Sequence, residues 1–438
     1  MMKYLHKAVA FLLLSLAWVA DGLADTANFQ ASISRLDGLL QASRREPAVW
    51  AHQFVQDHVA LDRVTQATFG GYLEVSLETY DDLLSGPRFH RLIAHYRDRL
   101  ATAFQAKLQA DLANLLANPA LHGLKLENIT TEGSRGQANV HALFPDGHVS
   151  LLADLIRSGK TWKIATLKIA SRSVSTHYRH LYKKTIAEHY SLPVLEAQMA
   201  ERDYVVLDDF TATWDGHQPM DWGAWKEKDR VKPMLYRIEQ HDTRHYMTAR
   251  DSTYSVIVGK FVQWNPRQYP IMTWCWRANA LPPGGNEFLD DANDSAAGIY
   301  VIFSQNFLGI PKQLKYVWST TLPEGTVGRR DKIFRPWFYV VESGKNKLGQ
   351  WAFETVDLEK HHKDKLGGRP AERTIGLGLL TDANSTRSYA EAYYADMRAW
   401  TRDALEGGRI TDHCGGLPRQ LARNARDSKP GSAYRAEE

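Results

Sequence analysis

Three aspartates lie close together in a loop-forming stretch of the second half of the chain. Asp290, Asp291 and Asp294 follow a Pro-Pro-Gly-Gly segment at 282–285, a composition that ends regular structure. Carboxylate oxygens grouped in a loop are the ligands that Ca²⁺ prefers. A solvated acidic loop is the more common use of the same composition, so we predict no metal site here.

A second polar group follows a strand-like run near residue 380. Residues 381–387 (Thr-Asp-Ala-Asn-Ser-Thr-Arg) include the side chains of Asp382, Asn384 and Arg387. Their carboxylate, amide and guanidinium groups could bind a sugar or a lipid head group through hydrogen bonds. An ordinary turn after a buried strand explains these residues equally well.

Tryptophans form a third candidate group in the same half. Trp276, Trp318, Trp337 and Trp351 could present a stacking face to sugar rings. At strand spacing they more often form a core. The ligand-site candidates in this half are Trp276, Arg277, Asp294, Trp318, Asp382, Asn384 and Arg387.

Motifs for catalysis are absent from the sequence. His361, His362 and Asp364 are unsuited to one ion, because adjacent side chains on a helix point about 100° apart. No Gly-x-Ser-x-Gly, His-Glu-x-x-His or phosphate-binding glycine loop occurs. Two scattered carboxylates could still serve a glycosidase, which keeps a hydrolase as a minor alternative. We predict a protein that is not an enzyme and that uses no cofactor or metal.

The two cysteines are the remaining reactive side chains. Cys275 lies in the strand-like run 272–276, and Cys414 lies in a polar C-terminal segment. An oxidising compartment would permit a disulfide, but this placement favours two separate thiols over a bridge.

The first residues have the composition of an export signal. Lys3 and Lys7 precede the apolar segment 8–20, and Gly22 and Ala24 are the small residues that signal peptidase recognises. The apolar run is short for a bilayer span, so an uncleaved anchor is the minor alternative. We expect a signal peptide over 1–24 and a periplasmic protein of the Gram-negative envelope.

Length and charge restrict the class of protein. The 438 residues exceed what one hydrophobic core usually serves, so at least two domains are expected. The net charge of +4 is modest, whereas a nucleic-acid binder would concentrate Lys and Arg on one face. We therefore expect no nucleic-acid partner.

The elements of the first half change from helices to strands. Apolar residues from Phe89 to residue 116 form one stripe of a long helix, and shorter helices are predicted over 49–60 and 73–84. Alternating apolar residues predict strands over 124–131, 140–144, 149–153 and 162–169. The apolar side changes within the last strand, which predicts a bulge. The fold class is α+β, with helices over a curved antiparallel sheet.

Residues 162–179 resemble a known family. A Trp162-Lys163 strand, a Ser-rich turn at 171–175 and a helix starting at Tyr178-Arg179 are similar to the MlaC and toluene-tolerance proteins, periplasmic phospholipid carriers. The resemblance covers most of residues 45–200. It departs from the family at 67–73 (Ala-Thr-Phe-Gly-Gly-Tyr-Leu), before the long helix.

This resemblance implies a lipid-binding domain over 25–200, with phospholipid as its ligand. The implied partners are an inner-membrane ABC lipid transporter and an outer-membrane acceptor. Acyl chains need a dry cavity, since each buried methylene contributes about 0.8 kcal/mol. The candidate pocket residues, which could equally form a packed core, are Phe104, Leu108, Leu112, Val140, Phe144, Leu151, Trp162 and Ile164.

The sequence of the second half predicts many short strands. The predicted strands cover 204–207, 255–262, 271–276, 298–304, 314–319, 337–342, 351–356, 374–380 and 390–397, with a short helix at 358–366. This pattern predicts an all-β sandwich or jelly roll over 203–402. The polar segment 407–438 is predicted to be a disordered tail.

This half resembles a bacterial envelope family of unknown function. The blocks that carry the resemblance are 208–210, 274–277, 298–303, 314–319, 342–344, 348–351 and 380–386. Its outline is similar to galactose-binding-like jelly rolls, which implies a binding module. The sequence therefore supports a phospholipid-binding and transfer protein, with a glycan-binding envelope protein that acts through the sandwich as the alternative.

Overall fold

The computed structural model describes residues 45–78, 87–117, 120–121, 123–159, 161–169, 172–188, 190–226, 229, 235–252, 254–331 and 335–418. The expected signal peptide, 1–24, and the last part of the expected tail, 419–438, lie outside these residues. The chain divides into two compact units, Met1–Val205 and Val206–Glu438. Among the described residues, no helix has the length and apolar character needed to cross a membrane.

Helices open and close the first unit. They are α1 (Pro47–His58), α2 (Leu61–Glu78), α3 (Pro87–Leu116), α4 (Val174–Leu181), α5 (Lys183–Ala187) and α6 (Leu192–Met199). The predicted long helix is α3, which begins at Pro87, where a missing backbone N–H costs nothing. The Ser173 hydroxyl accepts a hydrogen bond from the Thr176 amide at 3.0 Å and thereby starts α4.

A five-stranded antiparallel sheet lies between these helices in the chain. Its strands follow sequence order and are β1 (Gly123–Glu132), β2 (Arg135–Phe144), β3 (Gly147–Ser158), β4 (Thr161–Ile169) and β5 (Arg172–Ser173). The register of β3 on β4 shifts between the pairs Asp154–Thr166 and Leu155–Ile164, which confirms the predicted bulge. Helices α1, α2 and α4 pack against β4, the strand that carries the bulge.

The second unit contains two facing sheets. The strands are β6 (Tyr204–Asp208), β7 (Gly223–Ala224), β8 (Tyr236–His241), β9 (Arg244–Asp251), β10 (Val258–Phe261), β11 (Ile271–Ala280), β12 (Ala297–Gln305), β13 (Pro311–Ser319), β14 (Val327–Gly328), β15 (Trp337–Ser343), β16 (Ala352–Asp357), β17 (Gly376–Leu380) and β18 (Ala390–Trp400). The seven-stranded sheet has the order β14-β15-β13-β12-β17-β10-β7. The six-stranded sheet has the order β16-β11-β18-β9-β8, with β6 paired to β18. Two helices, α7 (Leu358–Leu366) and α8 (Arg402–Glu406), complete the unit.

Large aromatic side chains fill the space between the two sheets. Trp274 and Trp276 of β11 are fully buried, and Trp276 lies 5.9 Å from Trp318 of β13 between ring centroids. Because β11 and β13 belong to different sheets, these rings form the core of a β-sandwich. Each strand predicted from the sequence is present. The hairpin of β8 and β9 was not predicted, because polar residues such as Arg237 and Glu239 conceal its alternation.

The expectation of two separate thiols is wrong. Cys275 and Cys414 form a disulfide, with their Cα atoms 5.6 Å apart. The bridge forms because the C-terminal segment packs on the outward face of the six-stranded sheet. Cys275, Tyr246 and Tyr393 form an apolar surface on that face, and Cys414 and Leu417 cover it.

The segment after α8 also differs from the disordered tail that its composition predicts. Through residue 418 it lies against the six-stranded sheet, and the Arg244 guanidinium donates hydrogen bonds to the carbonyls of His413 and Gly415. Its polar composition hides this role because only two of its side chains, Cys414 and Leu417, enter the apolar cluster.

Candidate functional site

A cleft of about 910 Å³ opens between α2, α3 and β4 in the first unit. Phe69 of α2 and Leu100 of α3 are each 1% exposed and form its apolar wall together with Ala101. Ala165, the residue that the bulge leaves unpaired in β4, also lines it. The bulge therefore brings a small apolar residue to the cleft at the point where the strand bends.

The entrance of this cleft is charged. Arg63 of α2 and Arg97 of α3 are exposed, and they line the cleft beside Asp62 and Asp98. Thr65 adds a hydroxyl that is buried without a hydrogen-bond partner among the described residues. The cleft thus joins an apolar wall to cationic and hydrogen-bonding groups.

A second cavity, of about 550 Å³, adjoins the first at the start of α2. The two cavities share Asp62 and Arg63, and the second also includes Val55, Val59 and Lys163 in its wall. The start of α2 is fixed in place because the Ala60 amide donates a hydrogen bond to the Ile164 carbonyl of β4 at 2.9 Å. Arg63 therefore lies at the boundary between the two cavities.

The apolar residues that the sequence suggested as a lipid pocket lie elsewhere in the unit. Phe144 is half-buried and the other seven are buried, namely Phe104, Leu108, Leu112, Val140, Leu151, Trp162 and Ile164. None of the eight lines either cavity. Phe104 supports the cleft from behind, since its ring contacts that of Phe69 at 5.2 Å between centroids. The sequence signal for the cleft was the segment 67–73, which departs from the family pattern and contains Phe69.

One row of residues crosses five strands on the outer face of the seven-stranded sheet. Phe338 of β15 pairs with Lys315 of β13, which pairs with Tyr300 of β12. Tyr300 pairs with Gly378 of β17, and Gly378 pairs with Gly259 of β10. Because directly paired residues share a face, Gly378 leaves a hollow beside the large Tyr300 side chain.

Loops surround this hollow and make a pocket of about 420 Å³. Trp225 covers Gly259 so closely that a β-carbon at position 259 would overlap the indole ring. Arg330 and Arg335 form another wall, and the Arg330 guanidinium lies 2.9 Å from the Asp290 carboxylate. The pocket therefore has aromatic and cationic walls over a partly empty floor.

Lys315 is the charged residue of the row and is buried, with 5% of its surface exposed. Its ammonium donates a hydrogen bond to the Ser295 hydroxyl at 3.2 Å and lies 5.6 Å from the centre of the Tyr300 ring. Ser295 in turn donates to Glu287 at 2.9 Å, and Ser319 donates to the other oxygen of Glu287 at 2.6 Å. Glu287 supplies the carboxylate among the residues that line this pocket.

Two of the predicted ligand-site residues of the sandwich, Asp294 and Asp382, lie near each other, but both are buried. Asp294 is fully buried and accepts hydrogen bonds from the amides of Ser385 and Thr386 at 3.2 and 2.6 Å. Burial, and the nearby carboxylate of Asp294, raise the pKa of Asp382 to about 7. These contacts hold the loop 381–387 in its conformation.

The remaining predicted residues of this half are dispersed. Trp276 and Trp318 lie in the sandwich core, and Arg277 donates to the carbonyl of Pro418 at 3.0 Å. Asn384 and Arg387 are exposed. None of the predicted sandwich residues lines the 420 Å³ pocket.

The polar clusters considered for metals are also separated. Asp290 pairs with Arg330, whereas Asp294 is bonded to the loop 381–387. The His361 ring stacks on Tyr339 at 4.1 Å, and His362 contacts the Gly368 carbonyl at 3.1 Å, so the two rings face different partners. Asp412 lies near both cysteine sulfurs, but the disulfide leaves no thiolate there.

Comparison with known proteins adds a family for part of the second unit. Residues 220–398 match the family described as Protein of unknown function (DUF3047), which confirms that this half resembles a family without a known function. No curated protein matches the chain. A solved phospholipid-binding protein from Ralstonia solanacearum, in complex with a phospholipid, is similar at 14% identity and a TM-score of 0.30. The similarity covers 40% of this chain and 94% of that one.

Proposed function

We propose that this protein binds phospholipid in the cleft between α2, α3 and β4. The observation that carries the proposal is the cleft itself, in which the apolar wall of Phe69 and Leu100 meets the guanidinium groups of Arg63 and Arg97. An amphiphile with an acidic head has the same division into an apolar and an anionic part.

The physical chemistry of the two parts supports this ligand. Acyl methylenes taken out of water contribute about 0.8 kcal/mol each, so even part of one chain against the wall gives useful affinity. Guanidinium groups bind phosphate through paired hydrogen bonds, and the unpartnered Thr65 hydroxyl offers another. The adjoining 550 Å³ cavity gives room for a chain that extends past Arg63.

Transfer would require no covalent chemistry. We propose a binding protein rather than an enzyme, which passes lipid between an inner-membrane ABC lipid transporter and an outer-membrane acceptor. These partners follow from the resemblance described in the sequence analysis, and the exposed position of Arg63 and Arg97 is consistent with exchange at the cleft entrance.

We also propose that the protein acts in the periplasm. The export signal read in residues 1–24 and the Cys275–Cys414 disulfide both support this location, because disulfides persist in oxidising compartments. Cell fractionation with thiol-alkylation mass spectrometry tests it. A periplasmic protein with both cysteines protected is expected, and cytoplasmic protein with alkylated thiols would contradict the location.

Native mass spectrometry with lipid extraction tests the ligand. The mature protein, purified from the periplasm, is expected to retain phospholipid at about one molecule per protein. A double variant, R63Q/R97Q, should retain several-fold less, since each exposed ionic contact that is lost removes about 0.2–1 kcal/mol. The matched control is R135Q/R172Q, which removes two exposed arginines outside the cavities.

The outcome against the proposal is equally clear. An apo mass for the unmodified protein, with no lipid in the extract, would exclude a phospholipid carrier. Equal loss of lipid in both double variants would show that general charge, rather than the cleft, retains it.

A further inference from the structure

Lys315 is buried at the floor of the sandwich pocket with most of its hydrogen-bonding capacity unused. An ammonium has three N–H donors, and the Ser295 hydroxyl accepts one of them. Among the described residues no carboxylate contacts the Lys315 ammonium as an ion pair. Glu287 is held by two serines, and the buried carboxylate of Asp382 interacts with Lys315 only from beyond contact distance. A buried charge is costly unless it is paired, so an acid group bound in the pocket would stabilise the Lys315 ammonium.

From this geometry we propose that the pocket on the outer face of the seven-stranded sheet binds a small sugar that carries an acid group. The proposal concerns the second unit and does not depend on the phospholipid proposal for the first. Lys315 would bind the acid group, and the arginines of the wall would add to the attraction.

The charge of the pocket wall favours an anion. Among the described residues that line it, Lys226, Arg330 and Arg335 add positive charge to that of Lys315, and Glu287 supplies a carboxylate. Asp290 partly neutralises Arg330, whereas Lys226 and Arg335 are exposed at the entrance. An acid group would therefore meet a net positive surface around Lys315.

The other lining groups favour a sugar ring. Trp225 and Tyr300 provide flat apolar surfaces, and the amides of Asn293 and Gln313 can donate to and accept from hydroxyl groups. The volume of about 420 Å³ lies at the lower end of the range for small-molecule sites, which suits one or two sugar units. The hollow above Gly378 gives a ring access to the floor.

Isothermal titration calorimetry on the full chain tests the proposal with four probes, namely glucuronate, glucose 6-phosphate, glucose and inorganic phosphate. At least one of the two acidic sugars is expected to bind, and at least about tenfold more tightly than glucose or phosphate. Tighter binding of glucuronate would identify a carboxylate as the acid group, and tighter binding of glucose 6-phosphate would identify a phosphate.

Two variants connect the binding to the pocket. K315Q should weaken acidic-sugar binding about tenfold or more, whereas K312Q, an exposed lysine on the same strand, should leave it unchanged. R335Q is a second test at the exposed wall and should weaken binding several-fold, so the proposal stays testable if K315Q folds poorly.

Three results would overturn the proposal. They are no measurable binding of either acidic sugar, binding of glucose as tight as that of its acidic relatives, and phosphate alone binding as tightly as glucose 6-phosphate. Wild-type affinity in both K315Q and R335Q would place the binding outside this pocket.

Discussion

Asp396 shows how single side chains stabilise the second unit. Burial alone would raise the pKa of this carboxyl, but hydrogen bonds from His413 and Arg398 outweigh burial and lower the pKa to about 2. Arg398 donates to both carboxylate oxygens at 2.7 Å, and Arg244 donates at 2.9 Å. His413 and Arg398 belong to different segments, so one carboxylate joins the C-terminal segment to β18.

The lowered pKa of Asp396 predicts acid sensitivity. The ionised form stabilises the folded state at pH values above about 4, and this contribution is lost as the pH falls from the ordinary value of 3.8 to about 2. Since a tenfold change in the acid dissociation constant corresponds to about 1.4 kcal/mol, the contribution is about 2 kcal/mol. D396N should lower the unfolding free energy at pH 7 by this amount and flatten its decline between pH 4 and 2.

Urea titration followed by tryptophan fluorescence measures this effect. D242N, at an exposed hairpin position, is the control. Both sites have positive φ, 45° at Asp396 and 52° at Asp242, and asparagine tolerates such values. An unchanged acid profile in D396N would contradict the role of this carboxylate.

At the scale of elements, the positions of glycines determine where a sheet can hold a ligand. Gly259 and Gly378 lie side by side on β10 and β17, next to Tyr300. Trp225 lies over the first of them and Tyr300 beside the second, so neither position can accept a larger side chain without movement of a neighbour. The sandwich pocket is therefore a property of strand pairing rather than of any one loop.

Replacement of Gly259 tests the position of the pocket wall. In G259A the added β-carbon would overlap the Trp225 ring, so the ring must move. We expect acidic-sugar affinity to fall several-fold and the tryptophan emission to shift. G415A is the control, because a β-carbon there meets no atom within 4 Å. Unchanged affinity and emission in G259A would show that Trp225 does not form a fixed wall.

The elements of the first unit also explain why a cleft exists beside a well-packed core. The stripe of α3 that includes Leu92, Phe104 and Leu112 is buried, and these residues fill the core. The cleft lies beside a neighbouring face of the same helix, where Arg97 and Ala101 line it together with residues of α2. A helix in this position serves both the core and the site.

At the scale of the whole molecule, the disulfide is a covalent long-range link within the second unit. Cys275 and Cys414 are 139 residues apart, so their bond closes a very long loop of the unfolded chain. Closure of long loops restricts the unfolded state, and native disulfides typically contribute 2–4 kcal/mol. The bond also holds the segment to residue 418 over the sheet.

Removal of the bridge should therefore destabilise the second unit. A C275A/C414A variant is expected to lose about 2–4 kcal/mol of unfolding free energy, measured by urea titration without reductant. Dithiothreitol should destabilise the wild-type protein similarly and leave the variant unaffected. Equal stability of variant and wild type would show that the apolar contacts of the segment suffice.

Most local elements of this protein could be predicted from the sequence. The exceptions include the β8–β9 hairpin and the helix predicted over 73–84, since α2 begins at Leu61. The stripe of α3, the bulge in β4, the predicted strands of the sandwich and the helix α7 could all be read from spacing, because periodicity reports which side of an element is buried. It also indicated that the two halves differ in class, with helices over a sheet followed by strands. The candidate core residues of the first half, such as Phe104 and Ile164, are buried as an apolar stripe requires.

Which residues share a site depends on tertiary packing. The row from Phe338 to Gly259 crosses strands in the order β15-β13-β12-β17-β10, which no local pattern specifies. Cys275 forms a disulfide with Cys414, and Arg63 and Arg97 line the same cleft, because segments distant in the sequence pack together. Alternation shows that Trp276 and Trp318 are apolar strand residues, but it cannot distinguish a core from a ligand-binding face. That choice depends on whether a second layer covers the face.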